Sequence, residues 1–217
     1  VLVEPIQGEG GVRPLNHHYL QGLRDLCQQN QWLLMFDEVQ TGNGRCGSTY
    51  VCEQLEIKPD VMLTAKGLGN GLPIGVCMAR GEAAQLLGPG DHGSTYGGNP
   101  LCCAAAIAVL TTLRDDTVMQ RARSVREVLL TALHGAITDS DLIAEVRGRG
   151  LMIGIQPRVA TKEIVQRGLE SGLLINVAGG DTIRVLPPLV MTDEQAGELG
   201  AGIANIINDI AEQENAL

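Results

Sequence analysis

Two stretches decide the fold, WLLMFDE at residues 32–38 and DVMLTAK at residues 60–66. Each is a short apolar run that ends on ionisable side chains, Asp37 and Glu38 in the first and Lys66 in the second. Continuous apolar runs of this length suit strands buried on both faces, as in a parallel sheet covered by helices. Working outward, VLVE at residues 1–4 and PIGVCMA at residues 73–79 read as further strands of the same kind. Between the first two strands, Asn16 is placed to cap a helix running to about Gln29, with Leu20, Leu23 and Leu26 on one face. This alternation predicts an α/β fold with a parallel sheet.

A Gly-rich loop, GPGDHGSTYGG at residues 88–98, leads into Asn99 and Pro100, an N-cap followed by a first-turn proline. The Ala- and Leu-rich helix that follows runs to about Leu113, after which a charged amphipathic helix extends to about His134. LIAEVRGRGLMIGIQ at residues 142–156 reads as two strands around a turn. A helix from Thr161, strands at 173–177 and 182–186, and a last helix complete the chain, Thr192 and Gln195 standing in capping-box spacing. The expected division is a large domain over 1–113 and a small α+β domain over 114–217.

Composition excludes several classes of function. The 217 residues carry 25 Asp+Glu against 16 Lys+Arg, a net charge of −9, which argues against nucleic acid or an anionic membrane as partner. Aromatics make up 2%, so a stacking platform for bases has almost no material. Six cysteines without a CxxC pair suit a reduced, cytoplasmic compartment, and no apolar stretch approaches membrane-spanning length. The four histidines lack HExxH or zinc-finger spacing, so no metal site is expected. The chain opens on Val1 inside an apolar run, which suggests that upstream sequence is missing.

Ligands of open α/β sheets bind beyond the carboxyl ends of the strands, where Asp37 and Lys66 both stand. A desolvated lysine there could act as a nucleophilic amine able to form a Schiff base; alternatively it snorkels to water. Asp37 could pair with a buried cation such as a protonated pyridine nitrogen, or merely cap the next turn. Ser94, Thr95 and the neighbouring glycines offer hydroxyls and N–H groups for a phosphate.

In this order, VEPIQGEGG, LLMFDEVQTGNGRCG, KPDVMLTAKGLGNGLPIG, HGSTYGGNPL and TIRVLPPL closely resemble the class III pyridoxal-phosphate aminotransferases, with the acetylornithine aminotransferase branch the best match. The resemblance covers essentially the whole chain. It implies fold type I, with the remainder of the large parallel-sheet domain followed by the small α+β domain. Lys66 would hold pyridoxal 5'-phosphate as a Schiff base and shuttle the proton. Asp37 would pair with the pyridinium nitrogen, Val39 would pack on the ring and Gln40 would hydrogen-bond its phenolic oxygen. Thr95, with Ser94 nearby, would reach the phosphate of the partner subunit in a homodimer with shared active sites. Arg184 would bind a substrate carboxylate, and Glu9 would gate it.

The implied reaction passes the amino group of N-acetylornithine to 2-oxoglutarate, yielding glutamate, in arginine biosynthesis. Ornithine, succinylornithine or 4-aminobutyrate as the amine, or an inactive fragment that only dimerises, are the alternatives. The sequence departs from the family at Cys46, where threonine is usual, and lacks the upstream half of a family subunit.

Overall fold

The computed structural model describes residues 1–216. The chain forms two compact units, one of Val1–Pro5 with Leu15–Asp116 and the other of Ile6–Pro14 with the residues from Thr117 onward.

The first unit is built on a four-stranded sheet in the order β1 (Leu2–Val3), β4 (Met35–Asp37), β5 (Val61–Thr64), β6 (Val76–Ala79). β1, β4 and β5 run parallel, in the register Leu2 to Met35 and Asp37 to Leu63. β6 pairs antiparallel with β5, against the all-parallel expectation. A parallel return needs a crossover of about a dozen residues or more, usually helical. Between β5 and β6 the regular structure is a single 3₁₀ turn, Lys66–Leu68, so the chain comes straight back.

Helix α1 (His17–Gln29) starts at Asn16, whose side chain accepts from the His18 N–H at 2.8 Å, as the sequence predicts. Its buried residues are Leu20 and Cys27, and Leu26, expected on the inner face, is exposed. The short helix α2 is Val51–Leu55. Helix α3 (Pro100–Leu113) is capped by Asn99, which accepts from the Cys102 N–H at 3.0 Å, and packs on the 3₁₀ turn that Lys66 opens.

The second unit has a four-stranded antiparallel sheet in the order β7 (Ile143–Arg149), β8 (Met152–Pro157), β10 (Thr182–Val185), β9 (Asn176–Ala178). The ribbon of β2 (Ile6–Gln7) and β3 (Arg13–Pro14) packs with β7. Residues 6–14, expected in the first domain, therefore lie in the second unit. The physical reason is the buried guanidinium of Arg147, whose Nε donates to the carbonyls of Gly11 at 2.9 Å and Val12 at 3.1 Å.

Helices α4 (Asp116–Ala136), α5 (Ile164–Glu170) and α6 (Asp193–Asn215) complete the unit, and the capping box of Thr192 and Gln195 is formed. Leu129 and Leu133 of α4, Ile155 and Ile183 of the sheet, and Ile203 and Ile207 of α6 are fully buried in one core. Gly200 lets α6 approach α4: a Cβ there would lie 2.2 Å from the Leu129 carbonyl oxygen, a backbone atom. Gly200→Ala is expected to destabilise this unit by about 2 kcal/mol, in the range for overpacked cores. Denaturant unfolding checks this; a loss below about 0.5 kcal/mol, a typical surface effect, would mean that α6 slides freely on α4.

Candidate active site

The parallel register sets the carboxyl end of β4 beside that of β5, with Asp37 opposite Leu63 and Lys66 just beyond. Asp37 is half-buried, and its Oδ1 accepts from the Val39 N–H at 3.0 Å, an Asx-type turn that orients the carboxylate. Val39 and Gln40 occupy that turn and are half-buried. Further along the same loop, Asn43 is buried and donates from Nδ2 to Thr64 Oγ1 at 3.0 Å and to the Ala65 carbonyl at 3.1 Å. The loop after β4 is thereby tied to the residues that precede Lys66. Asn43 Oδ1 is buried and has no hydrogen-bond partner among the described residues.

Lys66 has φ 47°, a left-handed conformation costing an L-residue roughly 1–2 kcal/mol. Such strain is held only where surrounding contacts over-determine the backbone. Here those contacts are the grip of Asn43 on Ala65 and the packing of α3 on the turn. The Lys66 side chain is exposed, so in this chain burial does not desolvate its amine. Ser94 and Thr95 stand in the exposed loop ahead of α3.

Glu38, read from sequence only as a second acid, is fully buried. Alternation along a strand sends it to the opposite face from Asp37, which is the signal that separates their roles. Its carboxylate accepts from the N–H groups of Val51 and Cys52 and from Thr41 Oγ1, each at 2.8 Å. It therefore caps α2 and fixes the 38–52 loop. Burial pushes the Glu38 carboxyl above its ordinary range, against the pull of these hydrogen bonds. The neighbouring Cys52 thiol is pushed up to about 12, first by burial and then by the charges of Glu38 and Glu53. It stays protonated at neutral pH and is not a nucleophile.

In the second unit, Arg184 on β10 and Glu9 in the loop between β2 and β3 meet, Nη1 to Oε1 at 2.6 Å. The Arg184 side chain is 10% exposed and the Glu9 side chain 73%. Asn176, the register partner of Arg184 on β9, steadies it. In the orientation that matches donors to acceptors, its amide donates to the Arg184 carbonyl at 3.1 Å and accepts from Nη2 at 3.0 Å. Sequence reading missed Asn176, which only the β9–β10 pairing reveals.

Among the described residues there is no cluster of His, Cys, Asp and Glu that could hold a metal, and no helix is long and apolar enough to cross a membrane. All six cysteines are free thiols.

The donor set in the first unit fits pyridoxal phosphate: an amine for its aldehyde and, on the neighbouring strand end, a carboxylate for its ring nitrogen. This defines a sheet-based protein built for pyridoxal-phosphate chemistry. The chain belongs to the class III aminotransferases, a pyridoxal-phosphate-dependent family whose profile, Aminotransferase class-III, matches residues 1–207. It is 42% identical over 214 residues to acetylornithine aminotransferase 1 of Bordetella pertussis, covering 99% of this chain and 54% of that protein. An ornithine aminotransferase structure from Toxoplasma gondii, described as having partial occupancy of PLP at its active site, superposes with a TM-score of 0.90. The identity is 35%, over 99% of this chain and 51% of that one. The N-acetylornithine aminotransferase of Stenotrophomonas maltophilia superposes with a TM-score of 0.87 at 33% identity, over 100% and 57%. The chain spans about half the length of the relatives it matches.

Proposed function

We propose that the full-length protein carrying this chain is a cytoplasmic, homodimeric aminotransferase of arginine biosynthesis that passes the amino group of N-acetylornithine to 2-oxoglutarate. The observation that carries this reading is the pair of Arg184, lodged in a strand, with the exposed Glu9. An enzyme alternating between an ω-amino substrate and a dicarboxylate must change the charge of one subsite between half-reactions. A buried guanidinium holds a carboxylate with its planar fork, and a swinging Glu9 masks that charge and then releases it.

When bound, pyridoxal phosphate supplies an aldehyde for the amino group and a sink for the electrons at the substrate carbon. Lys66 would hold it through its amine and would carry the proton between the substrate carbon and the carbon of the aldehyde. The charge of Asp37 would keep its ring nitrogen protonated, Val39 would pack on the ring and Gln40 would hold the phenolic oxygen. Thr95 and Ser94 serve the phosphate across the dimer, which suits their exposure in the single chain.

The likeness to an ornithine aminotransferase favours ornithine as the second reading. Glutamate formation from N-acetylornithine, ornithine, succinylornithine and 4-aminobutyrate at equal concentration separates them. N-acetylornithine is expected to lead by about tenfold or more, the scale of discrimination that one pocket achieves. Faster turnover of ornithine rejects the branch assignment, and no turnover of any amine leaves the fragment alternative.

A further inference from the structure

We infer that Arg147 is the positioning residue for Glu9: it anchors the backbone of the loop that carries the gate carboxylate while leaving the side chain to move. The inference rests on the transaminase reading for its meaning, and on the geometry of the second unit for its substance.

Arg147 is 8% exposed, in the middle of β7. Its Nε donates to the carbonyls of Gly11 and Val12, both in the Glu9 loop. Nη1 donates to Glu145 Oε2 and to Gln156 Oε1, each at 2.7 Å, and Nη2 to Thr182 Oγ1 at 2.6 Å. Thr182 and Gln156 in turn donate to the two oxygens of Asp181, at 2.7 and 3.0 Å, and Asp181 lies 3.6 Å from the Arg13 guanidinium. One buried cation thus joins the loop to β8 and to β10, the strand that carries Arg184.

Two close approaches fix the same loop sterically. A Cβ on Gly179 would lie 2.9 Å from the Gly10 carbonyl oxygen, and a Cβ on Gly154 would lie 2.8 Å from Val12 Cβ. The Gly179 N–H donates to the Glu9 carbonyl at 3.0 Å. Glu9 is therefore held at its main chain and exposed at its carboxylate, so the gate swings about side-chain torsions over a backbone set against Arg184. A lysine at 147 keeps the charge but cannot serve this planar array of acceptors.

The test compares Arg147→Lys and Gly154→Ala, each alone and with Glu9→Ala, in the full-length protein. Gly154→Ala keeps the Arg147 guanidinium and presses on the loop at Val12 Cβ and, at 3.1 Å, on Thr182 Cγ2, and carries the test if Arg147→Lys does not fold. The first readout needs no substrate: deuterium exchange at Gly179 is expected to quicken at least ~10-fold while β8 keeps its protection. The second is the ratio of the two half-reactions. The amine half-reaction is expected to slow ~10-fold and the 2-oxoglutarate one less than ~2-fold, with the ratio no longer responding in the Glu9→Ala background. Unchanged exchange at Gly179, equal slowing of both half-reactions, or a full shift of the ratio without Glu9 overturns the proposal. A wild type that turns over no ω-amine rejects the transaminase reading instead, and exchange at Gly179 then decides the anchoring role.

Discussion

Lys66→Ala is expected to abolish borohydride trapping of pyridoxal phosphate on the full-length protein and to lower transamination by about 10⁴-fold, since on the proposed reading one group supplies both covalent attachment and proton transfer. The geometry gives the reason for so large an effect. Lys66 is held in a left-handed conformation at the end of β5, with the preceding carbonyl fixed by Asn43. Among the described residues of this unit the one other lysine, Lys58, precedes β5 and so stands at the opposite end of that strand. Peptide mapping of the trapped adduct checks the assignment. An adduct that persists in Lys66→Ala places the chemistry on another amine and removes the proposed mechanism.

Asp37→Asn carries the second large effect, a loss of about 10³-fold in transamination, the scale of removing one member of a buried ion pair. Asparagine keeps the size of the side chain and an oxygen able to accept from the Val39 N–H, so the turn after β4 survives. What it removes is the negative charge proposed to hold a ring nitrogen protonated. Asp37→Glu keeps the charge and shifts it by one methylene, so its rate is expected to lie between those of wild type and Asp37→Asn. Steady-state kinetics beside a thermal unfolding curve separate loss of charge from loss of fold. A rate for Asp37→Asn within about threefold of wild type would dismiss the ion pair as a source of catalysis.

Much of this was legible in the sequence because the strands and helix ends are locally encoded. The apolar runs around Phe36 and Met62 gave β4 and β5, and Asn16, Asn99 and Thr192 marked their helices by side chains that now accept the hydrogen bonds expected of caps. The direction of β6 was not legible, because an apolar run carries no sign of polarity and only the helix-free connection decides it. The place of residues 6–14 was hidden for a different reason. It depends on Arg147, more than a hundred positions away along the chain, and a lone arginine between Val146 and Gly148 gives no hint of the carbonyls it will meet. Glu38 received no role beside Asp37 although strand alternation separates them; the four residues WLLM ahead of them obscured the period.

The excursion of residues 6–14 also bears on how this molecule can be dissected. The chain leaves the first unit after Pro5 and re-enters it at Leu15, where the Leu15 N–H closes on the Pro5 carbonyl at 3.0 Å. The two units are thus threaded through each other's sequence rather than strung in series. A gene severed after residue 113 would yield a second piece stripped of the carbonyls that satisfy its buried arginine, and a first piece with an orphaned ribbon. Complementation by co-expressed halves would therefore demand that the ribbon find its sheet in trans, so neither piece is a self-sufficient module.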